Sequence, residues 1–177
     1  MKTVTVPTYE QASPANQALM DKLKKALTFV PNLYATFTYS ESALGTYLTL
    51  QNAKSSLSAK AREVVNLAVS QVNSCRYCLA AHTMVGKMVG FTDEQVLEIR
   101  RGTASFDARL DALTRLVHNV ASKRGHADSN VLQAFFDAGW NEGNLVDVMM
   151  VIGDKTISNY LHSTTEIPVD FPAAPEL

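Results

Sequence analysis

From about residue 17 to residue 163 the apolar side chains recur three or four positions apart, and strict two-residue alternation rarely lasts long enough to make a strand. A chain with that period can bury its apolar atoms only by packing helix against helix. The expected fold is therefore all-α, with about seven to eight helices. No internal repeat or low-complexity tract interrupts the pattern, and 177 residues suit one domain able to bury roughly 70% of its unfolded surface. We expect a single helical domain over residues 1–177, with an N-terminal arm to about residue 15 and an extended tail from about residue 166, where Pro168, Pro172 and Pro175 oppose helix.

Helix ends are written into the sequence. Gln17 to Phe29 is one helix, Pro31 can open the next, and Asn32 to Asn52 reads as one helix or two short ones. Ser58 is placed to cap a helix running to about Val72, with Glu63 in its second turn. Asn73-Ser74 reads as the break and cap before a helix ended by Gly90. Thr92 to Gln95 has the spacing of a capping box flanked by a Phe91–Val96 staple, and Gly102 stops that helix after Arg101. Ser105 or Phe106 to Arg124 and Ser129 to Ala138 end at Gly125 and Gly139. Asn141 can cap a last long helix, Glu142 to about Ser163, apolar around most of its circumference and so expected to be buried on nearly all sides. The simplest cover for it is a second subunit, which predicts a homo-oligomer joined through this helix.

Sixteen basic residues against seventeen acidic ones, in runs no longer than two for Lys and Arg, argue against nucleic acid as a partner. The first residues lack a signal-peptide core, and the most apolar run, Val148 to Ile152, is far too short to cross a bilayer. No membrane partner and a cytoplasmic location are expected.

Cys75 and Cys78 are the only cysteines, and His82 follows four residues later. A loop closed by cysteines three apart removes too little unfolded-chain entropy to brace a fold, so their use should be chemical. On a helix, both sulfurs and the imidazole would share one face. An ordinary thiol, with pKa about 8.5, is only a few per cent ionised at neutral pH. Bringing it to about 6.5 takes roughly 2.7 kcal/mol at about 1.36 kcal/mol per unit. A helix N-terminus supplies about 0.3–1 kcal/mol, up to about 2 when buried, so a further group must help. His82 fills that role as a base, and Glu63 is the candidate carboxylate to orient it. If the pair sits on a helix, its β-carbons start about 5–6 Å apart, wider than a disulfide wants, and the oxidised form should be mildly strained and easily reduced.

Two thiolates and an imidazole are also three zinc ligands, but no second cysteine pair exists to close a structural site, and no metal is expected. Covalent haem is excluded, since Leu79 and not histidine follows Cys78. His118, His126 and His162 have no partner readable from spacing and are read as surface or satisfied core. Trp140, Met149 and Met150 are read as packing.

Glu63, eleven intervening residues, Cys75-x-x-Cys78, three more and His82 together resemble the signature of the alkylhydroperoxidase D and carboxymuconolactone decarboxylase superfamily, in its cysteine-bearing peroxidase branch. Val30 to Tyr34 and the Gly139-Trp140-Asn141 turn are similar too, so the resemblance spans roughly residues 18–163. It implies helical subunits assembled as trimers or hexamers, a hydroperoxide substrate, an external dithiol reductant and no cofactor. It also implies roles: Cys78 as attacking thiolate, Cys75 as resolving thiol, the two forming the redox disulfide, and His82 with Glu63 as proton relay. The founding members carry histidine directly before the second cysteine; here Tyr77 stands there, an auxiliary hydrogen-bond donor but a poor base at neutral pH. The alternatives are a disulfide reductase or redox sensor without fast peroxide turnover, and a non-redox enzyme of the decarboxylase type.

Overall fold

The computed structural model describes residues 3–177; the first two residues of the expected N-terminal arm lie outside them. Among the described residues there are nine α-helices and no strand: α1 (Pro14–Leu27), α2 (Asn32–Phe37), α3 (Ala43–Gln51), α4 (Ala59–Val72), α5 (Arg76–Met88), α6 (Asp93–Arg100), α7 (Ala108–Ser122), α8 (Ser129–Asp137) and α9 (Glu142–Thr165). The count exceeds the expected seven to eight because Asn32 to Asn52 resolves into two short helices. The chain forms two compact units, one of residues up to Ala53 with Leu161–Asp170, the other of Lys54–Tyr160 with Phe171–Leu177.

In the first unit α3 packs against α1 and α2, and Phe37 stacks on Tyr47 at 4.4 Å between ring centroids. Ser13 caps α1 through its hydroxyl and the Asn16 N–H, so the helix starts at Pro14, three residues ahead of the expected Gln17. That helix ends at Thr28, which takes a left-handed φ of 71° without being glycine. The N-terminal arm is fastened rather than loose: the Tyr9 hydroxyl donates to Asp21 and that of Tyr39 to the Thr5 carbonyl. Pro31 offers α2 no side-chain cap, and the Asp170 carboxylate takes the Asn32 N–H instead, at 2.7 Å.

The second unit has α4 at its centre, packed against α5, α6 and α7, with α8 against α7. Val64, Val65, Leu67, Ala68 and Val69 of α4 meet Val96 and Ile99 of α6 and Leu113, Leu116 and Val117 of α7 in one apolar core. Ser58 caps α4 and Thr92 forms the capping box of α6, as the spacing predicts. Helix α7 starts later than predicted, because the Asp107 carboxylate accepts the N–H groups of Arg109 and Leu110. Gly90, Gly102, Gly125 and Gly139, all at positive φ, follow the helices they were predicted to end. Trp140 is packing: its ring stacks on Phe135, its indole N–H bonds the Arg109 carbonyl, and the Arg109 guanidinium lies 4.0 Å over it.

Helix α9 departs from the expectation of near-complete burial by apolar residues. Asn141 and Asn144 cap it reciprocally. Val148 and Val151 are buried, but so are Asn144, Asp154, Lys155, Ser158, Asn159 and His162, while Val146 (61% exposed), Met150, Ile157 and Tyr160 (60%) face outward. His162 is a satisfied core residue, its Nε2 3.2 Å from the Ile167 carbonyl oxygen.

The tail after Glu166 is non-helical, and both of its parts are held down. Asn32 Nδ2 donates to the Pro168 carbonyl in the first unit, and in the second Arg100 Nη1 donates to the Pro175 carbonyl. No helix among the described residues is long and apolar enough to cross a membrane.

Candidate active site

The turn between α4 and α5 places the dithiol. Cys75 N–H reaches back to the Ser70 carbonyl and Ser74 N–H to that of Gln71, the paired bonds of a Schellman motif, with Ser74 at φ 54° where glycine is usual. The residue that finishes this motif, Cys75, is also the N-cap of α5, and its sulfur accepts the Cys78 N–H at 3.3 Å. The cap is therefore Cys75 and not Asn73-Ser74. Because Cys75 lies outside the helix, the wide spacing of two helical β-carbons does not apply. Its Sγ sits 2.8 Å from Cys78 Sγ, and both cysteines are free thiols, 0% and 3% exposed.

The two sulfurs divide one proton unequally. Cys75 donates its S–H to Cys78, which pulls the Cys78 thiol from 9.0 down to about 6. Burial opposes this, and the charges of Lys155 and His82 and a hydrogen bond from the Asn159 amide support it. The Cys75 thiol is pushed up, first by giving its hydrogen bond to Cys78, then by burial and the neighbouring thiolate charge. The Cys78 N–H pulls the other way on Cys75 but is outweighed. We assign the anion to Cys78, because the Cys75 S–H and the Asn159 amide both serve it, against the single backbone N–H that serves Cys75.

Glu63 and His82 are also together. Burial raises the Glu63 carboxyl, but the His82 charge and hydrogen bond, the Asn66 amide and the Lys155 charge outweigh it and hold the group below its ordinary value. Its Oε2 is 2.7 Å from His82 Nδ1, and its Oε1 accepts from Asn66 Nδ2 at 2.7 Å. An ionised carboxylate only accepts, so Nδ1 carries the hydrogen. The other ring nitrogen, Nε2, faces Lys155 Nζ at 3.0 Å and not a sulfur. Tyr77 is buried, its ring edge-on to Phe171 at 5.4 Å. Among the described residues no group of three or more His, Cys, Asp or Glu is arranged to hold a metal ion.

Lys155 and Asn159 are the residues that the sequence reading missed. Both belong to α9, and both are buried, at 3% and 0% exposure. Asn159 is held by Asn73 Nδ2, which donates to its Oδ1, and by its own donation to Ser70 Oγ. Lys155, Ser158, Asn159 and His162 stand at i, i+3, i+4 and i+7, a polar stripe of helical period along α9. That stripe was the available signal.

Residues 41–118, which include Glu63, Cys75, Cys78 and His82, match the carboxymuconolactone decarboxylase family. Lys155 and Asn159 lie beyond the matched residues. No curated protein is similar enough in sequence to count as a relative. Among solved structures, the chain is similar to an uncharacterised peroxidase-related protein from Silicibacter sp. TM1040, with TM-score 0.79 and 20% identity over 98% of this chain and 94% of that one. It is similar also to one with an alkylhydroperoxidase AhpD core from Ralstonia eutropha JMP134 (TM-score 0.83, 16% identity, 93% and 90% covered). A third is a variant of the debrominase Bmp8 in complex with 2,3,4-tribromopyrrole (TM-score 0.78, 12% identity, 96% and 93% covered). At these identities the likeness is one of fold: the chain has an AhpD-like helical fold.

Proposed function

We propose that the protein is a thiol-dependent peroxidase that reduces hydroperoxides through a Cys75–Cys78 dithiol and disulfide cycle. The observation that carries this reading is the 2.8 Å contact between the Cys75 and Cys78 sulfurs, both free thiols; with the Cys78 thiol lowered to about 6, it supports a nucleophile beside its resolving partner. Cys78 attacks the distal peroxide oxygen and becomes a sulfenic acid. Cys75 condenses with it, releasing water and forming the disulfide, and an external dithiol returns both sulfurs to the reduced state. Glu63 and His82 belong to the proton relay, which reaches the site through the Lys155 that His82 Nε2 faces. The cycle needs a reducing compartment such as the cytoplasm. The exposed row of Val146, Met150, Ile157 and Tyr160 on α9 is the surface through which we expect copies of the chain to assemble, as a trimer or hexamer.

The test is peroxide-dependent oxidation of a dithiol by the purified protein. Cys78→Ser should abolish turnover, and Cys75→Ser should leave a sulfenic acid on Cys78 that a dimedone-type reagent traps. Full activity in both variants would remove the reading. The fold shared with the debrominase favours a second one, in which the two thiols supply two electrons to replace an aromatic bromine by hydrogen and release bromide. Bromide release from a bromopyrrole, without peroxide consumption, would select it.

A further inference from the structure

Lysine is seldom buried, because an ammonium removed from water must be repaid by anions and hydrogen-bond acceptors. Among the described residues Lys155, at 3% exposure, faces His82 Nε2 at 3.0 Å and forms a long ion pair with Asp154 Oδ2 at 3.9 Å, beyond hydrogen-bonding reach. Asp154 Oδ1 has no hydrogen-bond partner. Among the described residues the ammonium is thus paired with a carboxylate only at this long range.

Two helices present their residues here in matching steps. On α5, Cys78 and His82 are one turn apart, and on α9, Asn159 and Lys155 are one turn apart. Asn159 hydrogen-bonds Cys78, and Lys155 faces His82, so the ammonium lies on the side of α9 that faces the sulfur, and its charge acts on it. The imidazole has no hydrogen to offer a substrate in this arrangement. The His82–Lys155 pair shares one positive charge: with that charge on Lys155, His82 Nδ1–H is given to Glu63 and Nε2 accepts from the ammonium.

We propose that Lys155 is the acid of the site: its ammonium is the counter-ion of the Cys78 thiolate and gives its proton to the oxygen that leaves when the peroxide bond breaks. This rests on the peroxidase reading. In the first step the Cys78 thiolate bonds the distal oxygen, the O–O bond breaks, and the alkoxide takes a proton from Lys155, leaving a sulfenic acid, an alcohol and a neutral amine. Cys75 S–H then condenses with the sulfenic acid to give the disulfide and water. When an external dithiol reduces the disulfide, the proton that Cys78 sheds on ionising returns to Lys155. Overall, one hydroperoxide and one dithiol become one alcohol, one water and one disulfide. His82 and Glu63 are then positioning residues for the ammonium. The charged and titratable groups around it are His82 and Cys78 from α5, Cys75 at the cap of that helix, Glu63 from α4 behind His82, and Asp154 from its own helix.

The test uses the full reduced chain with Lys155→Met, close in length and uncharged, and Lys155→Arg, charged but unable to release its proton at ordinary pH. The pH profile of Cys78 alkylation, resolved from Cys75 by mass spectrometry, should move its midpoint up by about one unit or more in Lys155→Met. It should stay near the wild-type value in Lys155→Arg. Single-turnover oxidation is then measured above each midpoint with an alkyl hydroperoxide, whose alkoxide must be protonated, and with a peracid, whose carboxylate needs no proton. Both variants should be slower with the alkyl hydroperoxide by about a hundredfold, the scale of general-acid catalysis, and nearly unchanged with the peracid. An unmoved midpoint in Lys155→Met, or equal slowing with both oxidants, overturns the proposal. If Lys155→Met does not fold, Lys155→Arg still carries the oxidant comparison. Wild-type protein inert to both oxidants removes the peroxidase reading and the acid role with it, whereas the alkylation profile still judges the counter-ion.

Discussion

Among single side chains, the decisive ones differ in protonation more than in position. With the Cys78 thiol brought down to about 6 by Cys75's hydrogen bond, its alkylation rate should rise through about pH 6 and level off near neutrality, with Cys75 modified much more slowly. Peptide mass spectrometry after brief exposure to iodoacetamide measures both. Glu63→Gln removes the charge that fixes the His82 tautomer, and peroxide turnover should fall at least about tenfold. The same variant reports a stability linkage. A carboxyl held below its ordinary value stabilises the folded state above pH 4.5, and that contribution is lost as pH falls through the folded value. Wild type should therefore exceed Glu63→Gln in urea midpoint at pH 7, and the gap should narrow on acidification. Spacing made Cys75, Cys78 and His82 legible in the sequence, and Glu63 stood out only through the family resemblance; the structure pairs Glu63 with His82 and Cys75 with Cys78. Lys155 was not, because a lysine in a long helix is ordinarily solvated and only packing makes this one buried.

For helices, the legible features were those that a few neighbouring residues enforce. The Thr92 capping box, the Ser58 cap and the glycine stops depend on local backbone geometry, and all stand where the sequence put them. Boundaries were missed where a less usual residue does the same work: Thr28 and Ser74 adopt left-handed backbone in place of glycine, and Cys75 caps α5 through sulfur. Two glycine stops separate backbone strain from crowding. Gly102 (φ 92°) would bring a Cβ within 3.2 Å of the His118 ring, whereas Gly125 (φ 96°) has nothing within 4 Å. Both alanine variants should lose about 1 kcal/mol or more to the left-handed backbone, and Gly102→Ala should lose measurably more. Urea midpoints of the two variants give the comparison.

Across the whole molecule, α9 is where burial and composition part company. Its apolar residues Val146, Met150, Ile157 and Tyr160 are exposed in one chain, while its polar stripe is inside, so the helix walls the dithiol with one face and leaves an unpartnered apolar row on the other. If copies assemble through that row, Ile157→Glu should lower the mass found by light scattering at micromolar concentration while the far-ultraviolet circular dichroism stays helical. An unchanged mass would place any assembly elsewhere.

Helical period, capping residues and the Glu–Cys–Cys–His spacing needed no coordinates to be read, because each is set by neighbours within a few turns of the chain. The folded arrangement alone decided which face of α9 turns inward, that Asp170 would cap α2, and that the second nitrogen of His82 would meet an ammonium 73 residues away and not a sulfur. Those outcomes depend on which surfaces bury each other, and local sequence carries no record of a partner that only packing brings near.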